Sequence, residues 1–106
     1  MDAKTRVRCE ARARILKALA HPTRLFIVEE LARGERCVCE LQEMIGADMS
    51  TVSKHLSQLK SAGVVADEKR GVQVYYNLRA GCVPGFLNCI QNILKDNVKR
   101  QLECVR

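Results

Sequence analysis

The spacing of apolar residues changes near Gly63, from every third or fourth position to every second position. Before Gly63, the apolar residues recur with the period of an amphipathic helix. After it, Val72, Val74 and Tyr76 alternate with their neighbours, as in a half-buried strand. The chain is therefore predicted to form a series of helices followed by one β-hairpin.

Glycine, proline and capping residues divide the helical part into separate helices. We predict helices over residues 4–20, 22–33, 39–45 and 48–62, with a short link or strand over 35–38. A tight turn containing Gly46 joins the third and fourth helices, which is the pattern of a helix-turn-helix. The hairpin has predicted strands at 64–68 and 72–78 around a basic tip, Lys69-Arg70-Gly71. The fold class is a winged helix-turn-helix, mainly α with a β-hairpin, as one domain over residues 1–106.

A last helix begins near Pro84 and carries more apolar surface than a domain of this size can cover. Its apolar residues are Phe86, Leu87, Ile90, Ile93, Leu94 and Val98. We interpret this surface as a dimer interface formed with the first helix, and we expect a homodimer.

The length of 106 residues suits one domain with one core. No apolar run approaches the ~20 residues that cross a bilayer, and the charged first residues do not lead into the apolar segment of a signal peptide. We therefore expect a cytoplasmic protein with no membrane partner, whose six cysteines stay reduced. A P-loop and paired carboxylates in a pocket context are absent, so we expect neither an enzyme nor an organic cofactor.

The charge of the chain is uneven. The net charge is +6, which favours a polyanionic partner. Residues 37–68 nevertheless hold two lysines against five acids, a net −3. The positive charge lies on the flanks, so DNA binding requires the first helix and the wing to approach the backbone while the fourth helix reads the groove.

The outer face of the fourth helix consists of short or flexible donors and acceptors: Ser50, Thr51, Ser53, Lys54, Ser57 and Gln58. Such side chains contact base edges and phosphates in the major groove. A solvated helix face is the alternative, but the helix is the second of the motif and precedes a basic wing, which favours DNA. The predicted contacts to double-stranded operator DNA are Ser50, Thr51, Ser53, Lys54, His55 and Gln58, with Lys69 and Arg70 on flanking phosphates. His55 lies beside the Leu56 line, so a partly buried structural role is an equal alternative for it.

Cys37-Val38-Cys39 is a candidate site for a thiophilic ion, because thiolates are soft ligands. On a regular helix, positions i and i+2 are about 200° apart, and on a strand they are about 6.6 Å apart. Both sulfurs therefore reach one ion only if Cys37 lies outside the helix and Cys39 in its first turn. Ion capture would then act on the start of the helix-turn-helix. Two buried, unreactive cysteines are the alternative.

Residues 12–79 resemble the ArsR/SmtB family of winged-helix metal-responsive repressors. The resemblance rests on Leu16-Lys17-Ala18-Leu19-Ala20-His21-Pro22-Thr23-Arg24-Leu25, Cys37-Val38-Cys39-Glu40-Leu41, Ser50-Thr51-Val52-Ser53-Lys54-His55-Leu56, Leu59, Ala62-Gly63-Val64 and residues 71–76. It implies a dimeric repressor that binds an inverted repeat. The C-V-C motif is similar to the site of arsenical-resistance repressors and cadmium/lead sensors, which release DNA when As(III), Sb(III), Cd(II) or Pb(II) binds thiolates.

The third thiolate departs from one arsenic-sensor pattern, because Gln42 stands where that pattern has a cysteine. Related sensors draw a ligand from the N-terminal segment of the other subunit, so the resemblance favours Cys9, with Cys82 and Cys104 as alternatives. Cys89 follows the apolar stripe of the last helix and is expected to pack. A thiol-based persulfide or redox sensor on the same fold is the competing hypothesis, although the second helix has Val28 and Glu29 where its cysteine is expected.

Overall fold

The computed structural model describes residues 1–104 and contains, over that range, five helices and three strands. In chain order these are α1 (Ala3–Leu19), α2 (Pro22–Arg33), β1 (Arg36–Cys37), α3 (Val38–Ile45), α4 (Met49–Ser61), β2 (Val65–Arg70), β3 (Gln73–Leu78) and α5 (Val83–Cys104). The predicted winged helix-turn-helix is confirmed, and the segment predicted as a link or strand is the strand β1.

Local signals set the limits of the helix-turn-helix, which consists of α3 and α4. α3 ends at Gly46, whose φ of 76° lies in the left-handed region that glycine adopts without strain. Asp48 then accepts a hydrogen bond from the backbone N–H of Thr51 at 2.7 Å and begins α4. Only Gly46, Ala47 and Asp48 separate the two helices, so the second helix is held close against the first.

The three strands form an antiparallel sheet in the order β1-β3-β2. The short strand β1 covers the free edge of β3, with Arg36 opposite Tyr76 and Cys37 opposite Tyr75. The C-V-C segment therefore begins inside the sheet that carries the wing. The sequence did not predict this pairing.

The tip of the wing differs from the prediction. Arg70 pairs with Gln73, so the hairpin loop consists of Gly71 and Val72. A two-residue loop requires a positive φ, and Gly71 supplies it with a φ of 64°. The predicted basic tip is therefore wrong in its position: Lys69 and Arg70 lie in β2, and Val72 is 94% exposed in the loop and not part of a strand.

The core lies where α2, α3 and α4 meet the sheet. Its largest fully buried side chains are Ile27, Leu41, Leu56, Leu59, Val28, Val52, Val64 and Val65. α4 contributes Val52, Leu56 and Leu59, which fall on one helix face at spacings of four and three. A Leu56→Ala substitution would cost about 2–5 kcal/mol of stability and loosen α4. Burial of this face fixes which side of α4 points outward.

The terminal helices α1 and α5 contribute little to this core, since their buried residues are Ala18, Leu19 and Val83. Their exposed large apolar side chains include Val7, Ile15, Leu16, Phe86, Ile90, Ile93, Leu94, Val98 and Leu102. The accessible surface of 7660 Å² exceeds the roughly 6000 Å² expected for a compact monomer of this mass. The radius of gyration, 16.8 Å, likewise exceeds the roughly 13 Å of a compact chain. One protomer thus leaves an apolar surface uncovered.

Over residues 1–104, no helix combines the length and the apolar character that a membrane span requires.

Candidate DNA-binding surface and thiol site

The outward face of α4 is polar and carries no acidic side chain. Its exposed residues are Ser50, Thr51, Ser53, Lys54, Ser57 and Gln58. At the start of the helix, the hydrogen bond from the backbone of Thr51 lowers the pKa of Asp48, which stays ionised as a helix cap. The predicted groove-reading residues therefore lie together on one accessible surface, as the helical period indicated.

His55 lies between this surface and the core. Its Nδ1 accepts a hydrogen bond from Arg24 Nε at 3.1 Å, and its ring centroid lies 4.4 Å from that of His21. Arg24 also donates to the carbonyl of Ala18 at 3.3 Å, so this contact joins α1, α2 and α4. Burial, then the charges of His21 and Arg24, lower the pKa of His55. These contacts favour the structural alternative for His55 over a DNA contact.

Lys69 and Arg70 differ in their surroundings. Arg70 donates to both oxygens of Glu35, at 2.6 and 3.0 Å, and to Glu68 at 2.9 Å. Its guanidinium lies 4.5 Å from the ring centroid of Tyr75, and the bonds to the two carboxylates raise the pKa of Arg70 further. Lys69 is exposed and makes no ion pair within residues 1–104. Lys69 is therefore free for a phosphate, whereas Arg70 has to exchange two carboxylates for it.

Cys37 is the N-cap of α3. Its Sγ accepts a hydrogen bond from the backbone N–H of Glu40 at 3.4 Å, and the Glu40 carboxylate accepts one from the backbone N–H of Cys37 at 3.1 Å. This reciprocal pair is a capping box, with a thiol in the place usually taken by serine or threonine. The same bonds from Cys37 lower the pKa of the Glu40 carboxyl. The cap that starts the helix-turn-helix is thus itself a soft ligand.

Cys39 lies in the first turn of α3 and is exposed. Its thiol donates to the side-chain oxygen of Gln73, on β3, at 3.6 Å. Cys37 outside the helix and Cys39 in its first turn is the arrangement that the spacing argument required for two thiolates on one ion.

The other four cysteines are exposed and free. Cys9 lies on α1, Cys82 just before α5, and Cys89 and Cys104 on α5. The expectation that Cys89 packs does not hold within one protomer, because its side chain is exposed there. Within residues 1–104, no three His, Cys, Asp or Glu side chains come together to hold a metal ion. A third thiolate for Cys37 and Cys39 therefore has to come from a second protomer or from a rearrangement.

Sequence reasoning missed Glu35 and Gln73. Glu35 neutralises Arg70, and Gln73 contacts Cys39. Both contacts depend on the pairing of β1 with β3, which joins residues more than thirty positions apart. A two-residue strand has no hydrophobic pattern that would predict such pairing.

These features define a winged helix-turn-helix DNA-binding protein. The family model described as "Bacterial regulatory protein, arsR family" matches residues 21–67. A biofilm growth-associated repressor of Xylella fastidiosa is 35% identical over 81 residues, which cover 76% of this chain and 71% of the repressor. The chain belongs to the ArsR family, and the predicted resemblance is confirmed.

Two further relatives match a shorter segment. The transcriptional repressor SmtB of Mycobacterium tuberculosis is 44% identical over 69 residues, or 65% of this chain. The arsenic resistance transcriptional regulator ArsR1 of Pseudomonas putida is 42% identical over 65 residues, or 60% of this chain. The chain spans about half the length of these two relatives, 51% in each case. Their names are those of transcription regulators, which agrees with the prediction that the chain is not an enzyme.

A solved structure shares the architecture at full length. It is the homodimeric winged helix-turn-helix DNA-binding domain Mb0332 of Mycobacterium bovis, with a TM-score of 0.78 and 29% identity. The match covers 94% of this chain and 93% of that one, so both terminal helices have counterparts.

Proposed function

We propose that this protein is a dimeric transcriptional repressor that releases operator DNA when Cys37 and Cys39 bind a thiophilic ion. The observation that carries the proposal is the capping box at Cys37. A side chain that starts the helix-turn-helix is also the best soft ligand available to it. Occupation of the thiols and the position of the DNA-reading unit are therefore coupled through one residue.

The DNA-binding part of the proposal rests on α4 and the wing. The exposed face of α4 supplies contacts to base edges from Ser50, Thr51, Ser53, Lys54 and Gln58. Lys69 supplies a phosphate contact from β2, and Arg70 supplies another when its carboxylate partners let it go. A two-fold dimer presents two such units to an inverted repeat whose half-sites are about one helical turn apart.

The dimer rests on the apolar faces of α1 and α5. A groove of about 230 Å³ between them is lined by Leu16, Leu19, Ala20, Leu25, Phe86, Leu87 and Ile90. No polar side chain lines this groove, and the neighbouring Ile93 and Leu94 are more than half exposed. An apolar surface of this kind is stable in water only when covered, and a second copy brings the same surface by symmetry.

The effector class follows from the donor set. Two thiolates favour As(III) or Sb(III), with Cd(II) and Pb(II) as related thiophilic ions. The arsenic resistance regulator among the relatives supports the first pair. Three thiolates satisfy pyramidal As(III), and the partner subunit's Cys9 is the proposed third ligand. Cys9 shares a face of α1 with Leu16, seven residues on, and Leu16 lines the apolar groove, so Cys9 lies near the proposed interface.

The coupling follows from what the two sulfurs give up. To ligate an ion, Cys37 loses its role as acceptor for the Glu40 N–H, and Cys39 leaves Gln73. The first change weakens the start of α3, and the second frees the C-V-C segment from the wing. Each 1.4 kcal/mol by which the effector prefers the DNA-free form lowers DNA affinity about tenfold.

The test uses the full chain and a fluorescent duplex from upstream of its own gene. Arsenite, antimonite, cadmium, lead and zinc are titrated separately against the complex, and anisotropy reports release. We expect release by arsenite or antimonite at the lowest concentration and little effect of zinc. Cys37→Ser and Cys39→Ser should bind the duplex and retain it in arsenite. Release by an organic persulfide with no response to any ion would overturn the proposal in favour of the sulfur sensor.

A further inference from the structure

A basic pocket lies beside the recognition helix α4, outside the groups assigned above. Its volume is about 500 Å³, and it is lined by Arg14, Lys17, Ala18, Arg24, Gln58, Ser61 and Ala62. Three of these side chains are cationic and none is acidic. Arg14, Lys17, Gln58 and Ser61 are all exposed, so the pocket opens to solvent.

The cations of the pocket are available to a ligand. Arg14 and Lys17 make no ion pair within residues 1–104. Arg24 uses Nε for His55 and Nη1 for the Ala18 carbonyl, which orients its guanidinium between α1 and α4. The second of these bonds also satisfies a carbonyl near the end of α1, where helix-end carbonyls would otherwise repel an anion. What remains is positive charge on a fixed frame, with the hydroxyl of Ser61 and the amide of Gln58 as hydrogen-bond donors.

Gln58 connects this pocket to the groove-reading face, because its side chain belongs to both. A helix seated in the major groove has phosphates on each side of it, since the groove is only about 12 Å wide. The wing contributes Lys69, and the pocket carries the cations of α1. The central segment, residues 37–68, has a net charge of −3, so α4 needs positive charge from a neighbouring element.

We propose that this pocket binds one phosphate of the DNA backbone in each protomer, held by Arg14 and Lys17. The inference rests on the proposed DNA-binding function and adds a contact that places α4 in the groove. A contact to phosphate positions the protein on every sequence alike and makes binding depend on salt, because it releases counterions.

The test is the salt dependence of duplex binding by the Arg14→Gln/Lys17→Gln variant. With one phosphate lost per protomer, the slope of log affinity against log salt should fall by about 1.8 for a dimer. Affinity should weaken several-fold for specific and random duplexes equally. The matched control is Lys95→Gln/Lys99→Gln, which removes the same charge from the polar face of α5 and should leave the slope unchanged. Arg14→Lys/Lys17→Arg should restore most of the slope.

Three results would overturn the inference. If the variant only lowers the melting temperature, with the slope of the wild type, Arg14 and Lys17 merely stabilise the carboxyl end of α1. If inorganic phosphate at constant ionic strength binds the free protein at this pocket and the salt slope is unchanged, the pocket serves a small anion. If the wild type binds no duplex, the proposed function fails and this inference fails with it, whereas wild-type binding with an unaffected variant removes the inference alone.

Discussion

Arg70 holds both carboxylate oxygens of Glu35, two residues before Cys37, at 2.6 and 3.0 Å. The bond from Arg70 lowers the pKa of Glu35, so the pair stays charged at neutral pH. The wing and the C-V-C segment are therefore joined by an ion pair in addition to the β1–β3 pairing and the Cys39–Gln73 contact. A movement at the thiols reaches the wing as well as the helix-turn-helix.

Removal of the carboxylates that hold Arg70 should strengthen DNA binding. In Glu35→Gln/Glu68→Gln, Arg70 is released to a phosphate, so the affinity for any duplex and the salt slope should both rise. The two pairs are exposed, so the melting temperature should change little. Salt titrations of duplex binding measure the effect, with Glu103→Gln as a control for lost negative charge. An unchanged slope would remove Arg70 from the DNA contacts and leave Lys69 alone on the wing.

The cap at Cys37 should separate stability from sensing. Cys37→Ser keeps a side chain that caps helices well, so folding and DNA binding should be retained while the response to arsenite is lost. Cys37→Ala removes the acceptor for the Glu40 N–H and should cost about 1 kcal/mol of unfolding free energy. Urea denaturation of the two variants and of Cys39→Ala, which caps nothing, gives the comparison. Equal stability of Cys37→Ser and Cys37→Ala would show that the capping box does not hold α3.

The third thiolate should come from across the dimer. In Cys9→Ser, arsenite-dependent release should weaken or disappear, and arsenic absorption spectra should count two As–S bonds where the wild type has three. Cys89→Ser should respond as the wild type does. The assignment to Cys9 is wrong if Cys9→Ser is normal and Cys82→Ser or Cys104→Ser no longer responds.

Mild acid should destabilise the fold through His55. Because burial and the charges of His21 and Arg24 lower its pKa below the ordinary 6.5, the unfolded chain binds this proton at a higher pH than the folded chain. The contribution of His55 is therefore fully present above pH 6.5 and is lost as pH falls below that value. Melting temperatures in steps from about pH 8 to 5 measure it. His55→Gln, whose amide oxygen can still accept from Arg24, should flatten the curve; a curve as steep as that of the wild type would assign the loss to another group.

Much of the fold follows from local signals. The helix limits could be predicted because capping residues such as Asp48 and breakers such as Gly46 act over a few positions. The outward face of α4 could be predicted because burial of Leu56 and Leu59 orients the whole helix.

What could not be predicted depends on pairing between distant segments. The partner of Arg70 is 35 residues away in the chain, and the partner of Cys39 is 34 away. Neither contact exists until β1 joins the sheet. The position of the wing tip was also wrong, since alternation extends through Val72 while the turn is set by the φ of Gly71 alone.

The uncovered face of α5 has a consequence for gene dosage. When most protomers are unpaired, the concentration of the proposed dimer rises with the square of the amount of chain made, and so does early occupancy of an inverted repeat. Folded stability rises with that amount too, because pairing stabilises the folded state by mass action. A cell that doubles synthesis of this protein would therefore gain about four times as much repressor at low copy number, and one that halves it would lose repression more steeply than protein.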